Sequence, residues 1–334
     1  MRDSRPPAKK HTDCSRRPVL AGMPLNEPGN WKYFVSHVQR ECSTEAVMVA
    51  AEDAGIRMVK LVTCYQTGDI GKPLEGAQAR FDTVSVDEYL RRLDTIQSRL
   101  DGRLQTVGMV AHSVRAVSIE DIVRLHRVSV ERGLPFHIHV EEVLEEIESC
   151  QASHGCTPMR LLLDHGVVTP NVVAIHCTHS QPEDMRDYVA AGGQVCLCPI
   201  TEGNLGDGIA DIPVMRECGA SLAVGTDLNS RTDLLEELRW LEYVQRVARQ
   251  KRGVIVDADG DNGRELLRIG TEGGARALGL DAGRIEAGAL ADLVLFDHEH
   301  DSLAAASEDE LAAALIFGAS GSVISRVIVD GVDT

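Results

Sequence analysis

Three short stretches of this 334-residue chain hold side chains that bind metals or move protons: FHIHVEE at 136–142, IHCTH at 175–179 and GTD at 225–227. The first puts His137 and His139 two residues apart, with Glu142 three residues beyond. The second carries His176 and His179, and the third ends in Asp227. Imidazole and carboxylate groups on rigid elements are what a zinc-type ion takes, and a catalytic site of that kind keeps one position open for water. Such an ion makes water acidic near neutral pH, and a carboxylate close by can carry the proton. Taken singly each signal is weak. A strand histidine is more often a hydrogen-bonded core residue, and His137 reads that way. The His-x-His of HEHD at 298–301 reads as solvated surface. The specific signal is the ordered set: His-x-His-x-x-Glu, then His-x-x-His, then Gly-Thr-Asp.

These residues need elements to position them. Short runs rich in Val, Ile and Leu predict strands at 57–64, 104–111, 136–140, 171–177, 193–199 and 221–227. Between them helices are expected at 43–55, 86–99, 118–132, 142–153, 157–166, 181–191 and 232–250, with a further helical stretch near 263–278. Ser118 precedes Asp121 by three residues and Ser180 precedes Glu183 by three, so both read as helix starts. In the longest helix Leu234, Leu238, Leu241, Val244 and Val247 form an apolar stripe. A strand–helix alternation of this kind implies a parallel sheet, whose chemistry gathers at the carboxyl ends of the strands. Tyr65, His112, Glu142, His179 and Asp227 stand at such ends. Functional groups on so many strand ends suit a barrel better than a doubly wound sheet. Beyond residue 278 the runs GRIEAGALADLVLFD and VISRVIVDGV read as a small β unit. The expected division is a disordered leader over 1–30, a barrel over 31–278 and the β unit over 279–334.

Composition narrows the partners. A formal net charge of −17 argues against nucleic acid, which needs a basic footprint. No apolar run is long enough to suggest a membrane span. Nine cysteines, with no Cys-x-x-Cys, fit reduced thiols and a cytoplasmic location. Cys196 and Cys198 read as two small buried residues. The basic start, MRDSRPPAKKHTDCSRRPVLAG, lacks the apolar core of a secretory signal.

The stretches TCYQTGDIGKPLEGAQARF, AHSVRAV, FHIHVEE, IHCTH, CPITEGNLGDGI, GTDLNS and EELRWLEYVQR resemble the amidohydrolase superfamily. Within it they are similar to the formimidoylglutamate deiminases, from about residue 55 to the C-terminus. The resemblance implies a metal-dependent-hydrolase (β/α)8 TIM barrel with part of a small β-sandwich. It implies one divalent metal, Zn2+, with His139 and Asp227 as ligands and Asp227 also deprotonating the water. Glu142 would shuttle protons and His179 would polarise the group under attack. Tyr65, His112 and Arg115 would contact substrate, with Arg115 placed for a glutamate carboxylate; its plainer reading is a surface cation at a helix start. The implied reaction turns N-formimidoyl-L-glutamate and water into N-formyl-L-glutamate and ammonia, a step of histidine degradation, in a homodimer that binds neither nucleic acid nor membrane. One alternative keeps the chemistry on another amine or imine, such as a purine-type base; another is an inactive homologue.

The chain departs from the family's pattern at its start. The first-strand His-x-His that supplies metal ligands is absent: residues 1–40 hold only His11 and His37, and WKYFVSH reads as a remnant of the second strand. The expectation is a barrel incomplete at its N-terminus through truncation. Holding only His139 and Asp227 of the ligand set, it should bind zinc weakly.

Overall fold

The computed structural model describes residues 44–229 and 231–334. The expected leader, the WKYFVSH strand, His11 and His37 lie outside the described residues. Six parallel strands form the main sheet: β1 (Met58–Cys64), β2 (Gln105–Ala111), β3 (Phe136–Val140), β4 (Val172–His176), β5 (Gln194–Leu197) and β6 (Ser221–Val224). Each lies within a few residues of its expected place. Their order in the sheet is their order in the chain, and every neighbouring pair is parallel. A doubly wound sheet reverses direction at a switch point, and this one does not. The molecule is therefore α/β with the winding of a TIM barrel. Among the described residues the sheet is not closed, since β1 and β6 each pair on one side only. All five residues of β3 and of β4 are buried, the mark of central strands covered on both faces.

Helices return the chain between strands, so every strand's carboxyl end falls on one edge. They are α1 (Thr44–Asp53), α2 (Val86–Gln97), α3 (Ile119–Arg132), α4 (Leu144–His154), α5 (Pro158–Asp164), α6 (Pro182–Ala190), α7 (Pro199–Leu205) and α8 (Ile212–Glu217). The Ser118 hydroxyl accepts from the Asp121 amide and caps α3, as expected. At α6 the cap is Gln181, followed by Pro182 as the first helical residue, so Ser180 is not the start. The short α7 and α8 were not expected. After β6 come α9 (Leu234–Arg249), α10 (Asn262–Arg268), a π-helical turn at Ile269–Gly273 and α11 (Gly274–Ala277).

The expected stripe on α9 needs correcting. Val247 is 79% exposed, whereas the buried face carries Leu235, Glu237, Leu238, Leu241, Glu242 and Gln245. Two carboxylates inside a helix interface require partners from elsewhere. Glu242 takes the backbone N–H groups of Val254 and Ile255, which fixes the turn after the helix.

The last elements are β7 (Leu293–Phe296), α12 (Leu311–Gly318), β8 (Ile324–Val329) and β9 (Val332–Asp333); the three strands form an antiparallel sheet. This segment is tied firmly to the main sheet. Leu315 and Ile316 of α12 join the core shared with β1–β6. Arg239 of α9 donates to the carbonyls of Ile316 and Ala319 at 2.8 and 2.6 Å. Arg57, just before β1, donates to Asp292 at 2.6 Å with only 7% of its side chain exposed. No helix among the described residues is long and apolar enough to cross a membrane.

The π-helical turn rests on β6 so closely that a Cβ at Gly273 would fall on the Leu222 carbonyl oxygen, which is strand backbone and cannot move aside. Alanine in a helix is normally worth about 1 kcal/mol over glycine. Gly273→Ala should instead destabilise the protein by about 1–3 kcal/mol, because overpacking outweighs propensity. Denaturant titration checks this; a midpoint at or above wild type would show that the approach is looser than described.

Candidate active site

Side chains from four neighbouring strands form a row over the carboxyl edge of the sheet. The Tyr65 ring meets His112 edge-on at 4.6 Å, His112 lies 4.7 Å from His139, and His139 stacks on His176 at 5.6 Å. The backbone is strained here. Of the six non-glycine residues with positive φ among those described, four are Glu141, His176, Cys177 and Asp227, all at strand ends. Such conformations persist where surrounding structure over-determines them, and functional sites are the usual place.

The two histidines at the centre are in opposite electrical situations. His139 Nδ1 donates to the His112 carbonyl at 2.7 Å, which leaves Nε2 with its lone pair. Burial, then the neighbouring His176, lowers its pKa to about 4, so it stays neutral. His176 is wholly buried; its Nδ1 sits 3.3 Å from Glu202 Oε1, while its Nε2 faces Glu142 Oε1 at 3.6 Å and Asp227 Oδ2 at 3.8 Å without hydrogen-bonding either. Burial opposes its charge, but the hydrogen bond to Glu202 and the nearby Glu142 and Asp227 carboxylates prevail and raise it to about 10. Asp227 is raised to about 6 by burial, with His176 opposing and Glu142 adding.

This donor set suits a divalent metal. The ligand atoms of His176, Cys198 and Asp227 lie within 4.8 Å of one another, all three residues are buried, and His176 Nε2 is a buried nitrogen with no partner. His139, a neutral imidazole fixed by a hydrogen bond to its other nitrogen, stands beside them in the arrangement metal-binding histidines adopt. The Cys198 thiol is held well above its ordinary pKa by a hydrogen bond with Cys196 and by burial, which favours the thiol over the ligating thiolate. The expected ligands were His139 and Asp227; the structure adds His176 and Cys198 to the same place.

The other expected residues divide. Glu142 is buried within reach of His176. Tyr65 and His112 are in the row. Arg115 follows β2 in a turn, where its charge acts on Tyr65, Asp69, His112, His139 and Glu146; its Nε is buried without a partner. That placement differs from a surface cation. His179 does not join the cluster. Its Nε2 hydrogen-bonds the Asp207 carbonyl at 2.7 Å, and a Cβ at Gly208 would meet its ring at 3.1 Å. It braces the loop after α7, and His176 holds the central position expected of it. The reason is spacing: His176 ends its strand, and three further residues carry His179 into the following loop. His137, two residues before His139, bonds the Ala277 carbonyl at 2.8 Å and stays in the core.

Sequence reading included His176 in the His-x-x-His pair but gave it no role, and it missed Glu202, Asp207 and Cys198 as site residues. For His176 the available signal was its position at the end of the apolar run, as His139 stands one residue before the end of its own strand. Asp207 is raised to about 7 by burial, then by Glu142, and its Oδ2 is buried without a partner. A separate cavity of about 280 Å3 between α7 and α9, lined by Leu197, Trp240, Leu241 and Val244, touches this cluster only through Glu202. Its apolar walls do not suit a charged substrate.

Comparison with known proteins agrees with this geometry. The Amidohydrolase family matches residues 32–332. A formimidoylglutamate deiminase of Pseudomonas aeruginosa is 34% identical over 284 residues, covering 84% of this chain and 62% of its own length. A 5-methylthioadenosine/S-adenosylhomocysteine deaminase of Pelotomaculum thermopropionicum is 32% identical over 293 residues, covering 86% and 63%. The crystal structure of an amidohydrolase from Brucella melitensis superposes with a TM-score of 0.79 at 31% identity, over 86% of this chain and 64% of that one. An adenosine deaminase from Xanthomonas campestris with bound zinc shares the fold, with a TM-score of 0.73 at 22% identity, over 92% of this chain and 64% of that one. The chain thus spans less than two thirds of the length of each of these proteins. With the sheet winding, the strand-end cluster and the match over nearly all of its residues in agreement, the chain belongs to the amidohydrolase family.

Proposed function

We propose that this chain carries out metal-dependent hydrolysis of a carbon–nitrogen bond, and that its substrate is N-formimidoyl-L-glutamate, released as N-formyl-L-glutamate and ammonia. The observation that carries the reading is the convergence of His139, His176, Glu142 and Asp227 on one buried point at the strand ends, with Arg115 to one side. In this reading residues 31–278 make the catalytic unit, 279–334 the small β unit, and the metal is a single zinc-type ion.

Bound there, the ion would supply Lewis acidity, which makes water acidic enough to lose a proton near neutral pH. Asp227 and His139 would hold it. Asp227 would also accept a proton from the attacking water. Glu142 carries that proton to the nitrogen that leaves, because ammonia departs readily only when the nitrogen is protonated. In this reading His176 is not a ligand: facing the Glu142 and Asp227 carboxylates it keeps its proton, and its buried, unpartnered Nε2 would donate to the group under attack. Arg115 binds a substrate carboxylate through its two-pronged guanidinium. Tyr65 and His112 line the space between Arg115 and the reacting carbon.

A purine-type deaminase is the second reading. It is favoured by the similarity to a methylthioadenosine deaminase and by the Tyr65 and Phe81 rings, 5.9 Å apart, which offer aromatic faces to a base. Arg115 separates the two, since a neutral base makes no use of it.

Arg115→Met should lower kcat/KM for formimidoylglutamate by roughly 10²-fold, about 3 kcal/mol, the worth of a charge-assisted contact. Steady-state kinetics with formimidoylglutamate and with a methylthioadenosine-type substrate decide the matter. A loss confined to the purine would transfer the reading to the second class.

Glu142→Gln should keep metal and lose turnover, because it removes a proton carrier and leaves the ligands in place. Elemental analysis alongside an ammonia-release assay tests this. If the variant lost its metal, Glu142 would be a ligand instead.

A further inference from the structure

Glu237 is wholly buried on α9, and both of its carboxylate oxygens are committed to partners outside the catalytic cluster. Oε1 accepts from the Asn229 side chain at 2.8 Å, and Oε2 accepts from the Ile200 backbone N–H at 3.1 Å. The first partner belongs to the loop that carries Asp227. Asn229 also donates to the Thr226 carbonyl, and its own amide bonds the Asp227 carbonyl at 3.2 Å. The second partner lies in the first turn of α7. Two residues on, Glu202 accepts from the Cys198 amide at 2.9 Å and faces His176 Nδ1 at 3.3 Å. Thr201 closes the circuit by donating to the Thr226 carbonyl at 3.2 Å.

We propose that Glu237 is a positioning residue of the catalytic centre: its one carboxylate ties the Asp227 loop to the α7 turn that orients His176, and so sets the spacing between these two groups. The inference rests on reading the His176–Asp227 cluster as the active site. The geometry makes a requirement that simple packing does not. Asp227 sits in a left-handed conformation with φ 36°, as does His176 with φ 74°, so neither position is held by backbone preference. Something outside both loops must fix them. Glu237 is attached to the Asp227 loop directly and to His176 only by way of the α7 turn, whose Glu202 faces its Nδ1, and to its own helix by the covalent chain. Outer hydrogen-bond partners of this kind typically change activity or metal affinity by about 10- to 100-fold when removed.

The test uses Glu237→Gln, which keeps the shape and turns one acceptor into a donor aimed at a donor. The control is Glu242→Gln, on the same buried face, whose backbone partners lie away from the site. In hydrogen exchange, Glu237→Gln should speed exchange about 10-fold or more in two separated peptides, 198–202 and 225–229, and the control should change neither. In turnover, it should lower kcat by about 10- to 100-fold and leave KM within about 3-fold. Exchange that rises evenly over the whole chain, or wild-type exchange in both peptides with unchanged kcat, would overturn the proposal. Should Glu237→Gln fold poorly, Asn229→Ser cuts only one arm: it should loosen 225–229 and spare 198–202, and loosening of neither overturns the bracing. Asp227→Asn tells the two ideas apart. Full turnover in that variant would remove the active-site reading, while the exchange experiment would still judge Glu237.

Discussion

Everything at the strand ends answers to one electrostatic constraint: four carboxylates, from Glu142, Glu202, Asp207 and Asp227, are gathered around the buried imidazole of His176. Taking a charge out of water costs roughly several kcal/mol even after the protein relaxes, and like charges compound the cost. One protonated imidazole offsets only part of it. The rest must come from a cation, from shared protons, or from fold stability spent on holding the arrangement. Burial first, and then the neighbouring carboxylates, raise the pKa values of Asp227 and Asp207, which favours protons staying on these groups. A bound divalent cation would supply the first and remove the need for it. The same excess of negative charge makes Arg115 valuable at the rim, since an anionic substrate approaching this centre meets repulsion unless a cation receives it.

The strained backbone and the buried network are two sides of that arrangement. Strand ends in left-handed conformations aim His176 and Asp227 toward each other, and the hydrogen bonds that Glu202 and Glu237 accept, the latter from Asn229, brace the surrounding turns. Polar networks of this kind specify one geometry when fully satisfied. Their members come from β4, β6, α7 and α9, so the site is a property of the whole sheet edge and of no single loop.

The strands were legible because buried parallel strands read as short runs of Val, Ile and Leu, which is how β3 and β4 appear. Much of the site was legible for a related reason: polar residues that end such runs must lie on the carboxyl edge. His179 in place of His176 marks where this reasoning stops: the expected strand over 171–177 already held His176, but the role was assigned by resemblance to the second histidine of the pair and not by strand position. The buried face of α9 was misread because a glutamate looks solvated until its partners are known, and the Ile200 amide that satisfies Glu237 is 37 residues away. Helix α12 escaped notice because LAAALIFG is apolar on every side and shows no period. Cys198 was read as a small core residue, which describes its burial and misses its neighbours.

The salt bridges of Arg57 bear on how the molecule is made. Its partners Asp292 and Asp330 follow it by 235 and 273 residues. At about 5–20 residues per second, a ribosome adds that length in on the order of 10–50 s. Throughout that time β1 has emerged but the residues that neutralise its leading arginine do not yet exist, and α12 has not arrived to cover its share of the core. A nascent chain of this design holds unfinished apolar surface for far longer than a hairpin or helix takes to form. Its exposure to misassembly is therefore set by the time synthesis takes as well as by the stability of the finished fold.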